Sequence, residues 1–250
     1  MTAVRPPCWL LLAAGCVSGG PLDLGPAVIG VHLSTDTDVA ALVPLRGGAV
    51  AALVTEVRSD RSAADAPIAG AAVEVRLPSG ALPLAEVADG LYASSPLDAP
   101  ALYAAPGTVS TVDVAVDGAA YGLGAALPPV LPLALDPGPY PPDEDLVVPL
   151  PDGWADDYDY VLAELVGPSG VVWSAQPTTL RGWLELLGDP PQPDALTIPA
   201  EALDPATVSA LGVFFLQQLD RDAAFHGPVN EPASSYIAGT AWLEPLALGF

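Results

Sequence analysis

The residues able to do chemistry in this chain fall into three groups, and the densest is acidic and aromatic. Asp143, Glu144 and Asp145 are followed by Asp152, Asp156, Asp157 and Asp159, with Trp154, Tyr158 and Tyr160 among them. Calcium takes about six to eight oxygen ligands, many of them loop carboxylates. Asp143, Asp145, Asp152, Asp156, Asp157 and Asp159 are therefore the candidate calcium ligands. The spacing is not that of an EF-hand, because Val148 to Pro151 supply no carboxylate. A solvated acidic face between two domains explains the same run more simply. Trp154, Tyr158 and Tyr160 are candidates for a protein or carbohydrate contact, since each aromatic combines an apolar ring with a polar tip. The alternative is that Trp154 caps a core beneath its loop.

The second group is the histidines. His32 and His226 are the only two, so a zinc site of three histidines is excluded. His32 stands in an apolar, strand-like run and His226 beside Gly227-Pro228; both read as structural or exposed. No Gly-x-Ser-x-Gly elbow occurs, which removes the sequence signature of one large hydrolase class. There is no lysine at all, so no phosphate-binding Gly-x-x-x-x-Gly-Lys loop can form. With 30 acids in the chain, some carboxylate pair always lies close, so a glycosidase-like pair is uninformative. No catalytic residue is assigned, and a hydrolase is a distant alternative.

The third group is the cysteines, Cys8 and Cys16, both near the N-terminus. Leu11-Leu12-Ala13-Ala14-Gly15-Cys16 follows a short n-region whose one charge is Arg5. The apolar stretch from Cys8 to Gly15 is far shorter than the roughly 20 residues that span a bilayer. It suits the h-region of a secretory signal, with small residues before the cut. The segment resembles the cleavage and lipid-attachment signal of bacterial lipoproteins. That resemblance implies removal of the residues before Cys16, acylation of Cys16 on its sulfur and amine, and anchorage to a membrane through it. Val17 in place of aspartate implies passage to the outer membrane. Ala13, where leucine is commonest, departs from the pattern. The mature chain would then hold one lipidated cysteine and no intramolecular disulfide.

These features need a scaffold, and composition bounds it. Thirty prolines and 24 glycines disfavour long helices. A hydrophobic content of 51% and a mean hydropathy of +0.44 exclude wholesale disorder. The net charge of −23 leaves no electrostatic footprint for nucleic acid or anionic headgroups. It keeps an alanine-rich chain soluble and would attract basic partners.

Along the chain, Val17 to Pro26 reads as a tether reaching about 30 Å when extended. Strands are expected at Ala27–Leu33 and Gly48–Val57. In Val73-Glu74-Val75-Arg76-Leu77 and Val112-Asp113-Val114-Ala115-Val116, apolar residues alternate with others, the period of a half-buried strand. Asp117-Gly118 is a hairpin signal, and strands at this spacing indicate an all-β sandwich. The order Gly70-Ala71-Ala72-Val73-Glu74-Val75, Pro78-Ser79-Gly80, Glu86 to Gly90-Leu91-Tyr92, Pro106-Gly107 and Val112 to Gly118 resembles a transthyretin-like module. This is the carboxypeptidase-regulatory-like, immunoglobulin-type domain of secreted bacterial proteins, matched over residues 48 to 128. It implies a structural or adhesive role. The chain departs from the family between Ser94 and Thr108, which is interrupted by prolines. Ala81 to Val87 is expected as one returning strand.

Seven prolines between Pro128 and Pro142 favour a semi-rigid spacer, or else an edge cover lying across the sandwich. Beyond it, strands are expected at Leu146–Leu150, Tyr158–Val166 and Val171–Trp173. Val208–Leu219 is long enough for a buried strand or a helix, with Gly212 and Phe214-Phe215 favouring strand. Tyr236, Ile237, Ala241 and Leu243 support strand in Ser234–Leu248. A helical turn is expected at Ala200–Leu203, and Thr179–Leu187 is read as a short helix or irregular strand. The expected organisation is a signal over 1–16, a tether over 17–26, a sandwich over 27–128, a linker over 129–145 and a second sandwich over 146–250. The expected fold class is all-β, with two immunoglobulin-like β-sandwiches. The expected function is a non-enzymatic, lipid-anchored envelope protein that meets an envelope protein or glycan through an acidic surface. The alternative is a calcium-stabilised adhesion or carbohydrate-binding module.

Overall fold

The computed structural model describes residues 26–35, 47–56, 66–131, 133, 135, 138–167, 170–175, 192–203, 211–220, 224–226 and 234–247. The lipidation candidate Cys16 and the Thr179–Leu187 segment lie outside them.

The chain is all-β. In the first half the strands are β1 (Pro26–Thr35), β2 (Gly47–Glu56), β3 (Ala66–Pro67), β4 (Ala72–Leu77), β5 (Gly80–Pro83), β6 (Ala85–Ala88), β7 (Leu91–Ala93), β8 (Val109–Val116) and β9 (Ala119–Ala126). The second half supplies β10 (Leu146–Pro149), β11 (Tyr160–Gly167), β12 (Gly170–Ser174), β13 (Ala195–Ile198), β14 (Leu211–Asp220), β15 (Ala224–His226) and β16 (Ser235–Ala247). Nine strands form one sheet in the order β12-β11-β14-β16-β1-β2-β7-β6, with β3 on β2. Five form a second, β15-β9-β8-β4-β5, and β10 pairs with β13. Among the described pairs all are antiparallel except β1 with β16.

Two cores lie between these layers. In the first, Val28, Val50, Ala52, Val54 and Tyr92 of the large sheet meet Val73, Val75, Val112, Val114 and Leu123 of the five-stranded sheet. The alternation in β4 and β8 is the cause: Val73, Val75, Val112 and Val114 point inward while Glu74, Arg76 and Asp113 lie less buried. Asp117 and Gly118, both at positive φ (50° and 82°), make the two-residue turn whose twist matches a hairpin. In the second core, Leu146, Val148, Leu196 and Ile198 of the small sheet face Val161, Ala163 and Leu165 of the large one.

Two expectations are corrected here, and the departure at Ser94–Thr108 is resolved. Ala81–Val87 is not one strand. The chain changes sheets at Leu84, which is 7% exposed and donates its N–H to Val73. β5 pairs with β4 and β6 with β7, so one residue's burial splits the run between layers. Pro96–Leu102, in the proline-interrupted stretch, is a 3-10 helix capped by Ser95. The proline-rich segment is packed rather than a free spacer: Leu131 is buried in the second core, and Leu133, Leu135 and Tyr140 pack against it. That is the edge-cover alternative.

The division of the chain also differs from a cut at 129–145. β15, expected in the second sandwich, pairs with β9 of the first. β16 serves both. Tyr236 and Ala238 belong to the first core and Leu246 to the second. Strand pairing rewards any edge with backbone groups to satisfy, and a 13-residue strand is long enough to supply two neighbours.

Candidate functional site

The predicted acids and aromatics occupy the entrance to the second core. Gly153, at φ 77°, leads into the 3-10 turn Trp154–Asp156. This turn carries Trp154 inward, to 7% exposure; Tyr158 and Tyr160 follow at 6% and 2%. The three are not a contact surface. Two of the polar tips hold backbone instead: Trp154 Nε1 donates to the Pro193 carbonyl at 3.0 Å, and the Tyr158 hydroxyl donates to the Pro129 carbonyl at 2.8 Å. Pro129 O also accepts from Thr240 Oγ1 at 3.2 Å. Burying a ring while its tip satisfies a carbonyl is the ordinary economy of a buried Tyr or Trp. Burial and the neighbouring Asp157 push the Tyr158 phenol up to about 12.

The acids do not gather. Among the described residues, which include all six calcium candidates, no three acidic or imidazole groups lie close enough to hold a metal ion. Asp145 instead accepts from the Ala200 N–H at 2.9 Å, at the start of the 3-10 turn Ala200–Leu203. One of the predicted ligands is thus a cap. For Asp143, Asp145, Asp152, Asp156, Asp157 and Asp159, the calcium candidates, the described residues form no such cluster.

What the sequence did not disclose is a chain of polar groups through the middle of the first core. His32 Nε2 lies 3.0 Å from the Leu102 carbonyl, and Nδ1 lies 2.7 Å from Ser110 Oγ. Ser110 Oγ in turn lies 2.6 Å from the Tyr236 hydroxyl. A carbonyl can only accept, so in the neutral ring Nε2 carries the hydrogen. Nδ1 then accepts from the Ser110 hydroxyl, whose oxygen accepts from Tyr236. Each donor has one acceptor, and the sheets are joined across their gap. Burial holds the His32 pKa down to about 4, against a smaller upward pull from the Leu102 hydrogen bond. Burial raises Tyr236 above the usual phenol range, opposed by its bond to Ser110.

Local sequence makes room for this chain. Gly30 faces Tyr236 across the parallel pair, and a Cβ there would sit 2.6 Å from the ring. Gly48 lets the 3-10 helix approach, since a Cβ on it would meet the Leu102 oxygen at 2.4 Å. Ser34 both donates to and accepts from the Ala104 backbone, which fixes the segment that carries Leu102.

A serine 2.7 Å from an imidazole invites a nucleophile reading. The geometry argues otherwise: His32, Ser110 and Tyr236 are each 0% exposed, so no substrate reaches Ser110, and the ring nitrogen that would meet a catalytic carboxylate bonds a backbone carbonyl. His226 lies in β15, opposite Gly122.

One cleft, of about 650 Å³, opens along β4, β8 and β9. Its charged groups engage one another. Arg76 Nε donates to Asp113 at 2.9 Å, and Nη2 pairs with Glu74. Arg76 thereby relieves the repulsion of two carboxylates placed opposite each other by register. Elsewhere Glu86 accepts from both the Gly70 and Gly90 N–H groups, and Tyr92 ties the Ile68 carbonyl to the Ala71 N–H.

No protein-family model matches the sequence, and no curated protein matches it. Among solved structures, a chimeric titin Z1Z2-Z1Z2 tandem functionalised with a GRGDS peptide from fibronectin is similar over 90% of this chain and 100% of its own. The identity is 11% and the TM-score 0.24. The chain's own strand pairing and its two cores define an all-β protein of packed, sandwiched sheets.

Proposed function

We propose that this protein is a lipid-anchored component of a bacterial cell envelope, reaching the outer membrane, with a structural or partner-binding role and no catalytic one. The observation that carries the reading is Leu11-Leu12-Ala13-Ala14-Gly15-Cys16: an apolar run, small residues and a cysteine, ahead of a chain with no other cysteine. The body behind it suits such a role. Pro78-Ser79 joins β4 to β5 and Asp117-Gly118 joins β8 to β9, which supports a sandwich body of the kind the resemblance implies. The serine–histidine contact is sealed within a core and acts as a strut. The partner is met through the acidic exterior, and its complementary face is basic; an envelope protein fits this better than a glycan, because Trp154, Tyr158 and Tyr160 are spent on the core.

The test is metabolic labelling with an alkyne-tagged palmitate in a bacterial host. Incorporation into the wild-type chain, its loss in Cys16→Ala, and release of the variant from membranes would support the anchor. Equal membrane association of Cys16→Ala with no label in either would sink it.

A further inference from the structure

The strand register gives the molecule a direction relative to the anchor. β1 begins at Pro26, opposite Glu56 of β2, and the turn at Gly90 packs beside this end through Val54. β16 enters parallel to β1 at Ser235, opposite Ile29, and reaches Thr240 opposite Ser34. It then continues past the end of β1 to Ala247, paired with β14, and delivers Leu246 to the second core. From Ser235 to Leu246 the strand advances roughly 36 Å at about 3.3 Å per residue. The second core is therefore displaced along β16, away from the point where the chain enters the first sandwich.

We infer that the second sandwich is the membrane-distal part, while the Pro26–Glu56–Gly90 end of the first sandwich faces the bilayer. This rests on the lipid-anchor reading. Nine residues, ten Cα–Cα steps, separate Cys16 from Pro26, a reach of at most about 36 Å, so the first sandwich cannot leave the membrane's neighbourhood. Charge keeps the body from lying flat. Loss of the residues before Cys16 removes Arg5 and leaves six arginines against thirty acids, a body repelled by anionic headgroups. Glu56, Glu86 and Asp89 stand at the near end, and the sequence after Glu56 adds Asp60 and Asp65 against Arg58 and Arg61, so the acids outnumber the arginines there too.

Three exposed valines mark the axis: Val87 near the entry end, Val109 on the strand that carries Ser110, and Val147 on β10 over the second core; they are 54%, 56% and 55% exposed. The mature lipidated chain has no free thiol, so Val87→Cys, Val109→Cys and Val147→Cys each provide a single labelling site. The full lipidated protein is reconstituted in phosphatidylethanolamine–phosphatidylglycerol vesicles, and a fluorophore on each cysteine is quenched by a headgroup-attached quencher. Quenching should fall in the order 87, 109, 147, with at least a twofold difference between the first and last. Equal or reversed quenching in protein that floats with the vesicles would overturn the orientation and leave the anchor standing. Protein that carries no lipid and fails to float would overturn both. An unchanged melting midpoint in each variant secures the comparison against misfolding, and the three sites stand in for one another if one variant is lost.

Discussion

The two sandwiches treat buried polar groups in opposite ways. In the first, His32, Ser110 and Tyr236 bond to one another through the centre and end on a carbonyl. In the second, Trp154 and Tyr158 each reach outward to a carbonyl of a flanking segment. The first arrangement joins two sheets through groups from distant parts of the chain, so each member depends on the others. The second closes flanking segments over a core: Trp154 bonds alone, and Tyr158 shares its carbonyl only with Thr240. Interdependence makes a polar network costly to break, and the contrast predicts a gradient of effects.

The largest effect is expected at His32. His32→Ala removes a buried ring, the acceptor of the Ser110 hydroxyl and the donor to the Leu102 carbonyl, which should cost about 3–5 kcal/mol in urea unfolding. A loss under about 1 kcal/mol would mean the chain of bonds is incidental. Acid comes next. The folded pKa of His32 is about 4 and its ordinary value 6.5, so the unfolded chain binds the proton more tightly. The stability held above about pH 6.5 should therefore drain away as pH falls to about 4 and then level off. The total is on the order of 3 kcal/mol. The difference between wild type and His32→Gln across this window isolates it, and parallel curves would refute it.

Smaller losses are expected in the second sandwich. Tyr158→Phe should cost about 1 kcal/mol, because Pro129 O keeps the Thr240 hydroxyl. Adding Thr240→Val strips that carbonyl, so the double variant should lose more than the sum of the two singles. Strict additivity would show that they do not share it. Asp145→Ala should cost about 1 kcal/mol or less, as the loss of an exposed cap. Last, millimolar calcium should leave the melting midpoint where magnesium leaves it. A rise specific to calcium would show that the acids converge after all.

How much of this was legible depended on the range of the interaction. β4 and β8 could be read because each has one face inward and one outward, which writes a period of two into Val73-Glu74-Val75 and Val112-Asp113-Val114. β1 is buried along nearly its whole length, so His32 appeared only as a polar residue in an apolar run. Its partners stand 70 and 78 residues away, and Tyr236 is 126 residues from Ser110. No local pattern records such distances. The aromatics at 154, 158 and 160 were legible as a group, but not their direction, because acids beside an aromatic are equally consistent with a contact face and with the rim of a core.

The sequence by itself determined the all-β class, the turns at Pro78-Ser79-Gly80 and Asp117-Gly118, and the acidity of the surface. It did so because alternation, turn chemistry and charge are properties of neighbouring residues. Only the tertiary structure decided that Leu84 divides a strand between two sheets, that Asp145 caps a turn, and that β16 serves both cores. Those outcomes depend on which edges meet and which atoms lose their water, and both are settled only when distant segments come together.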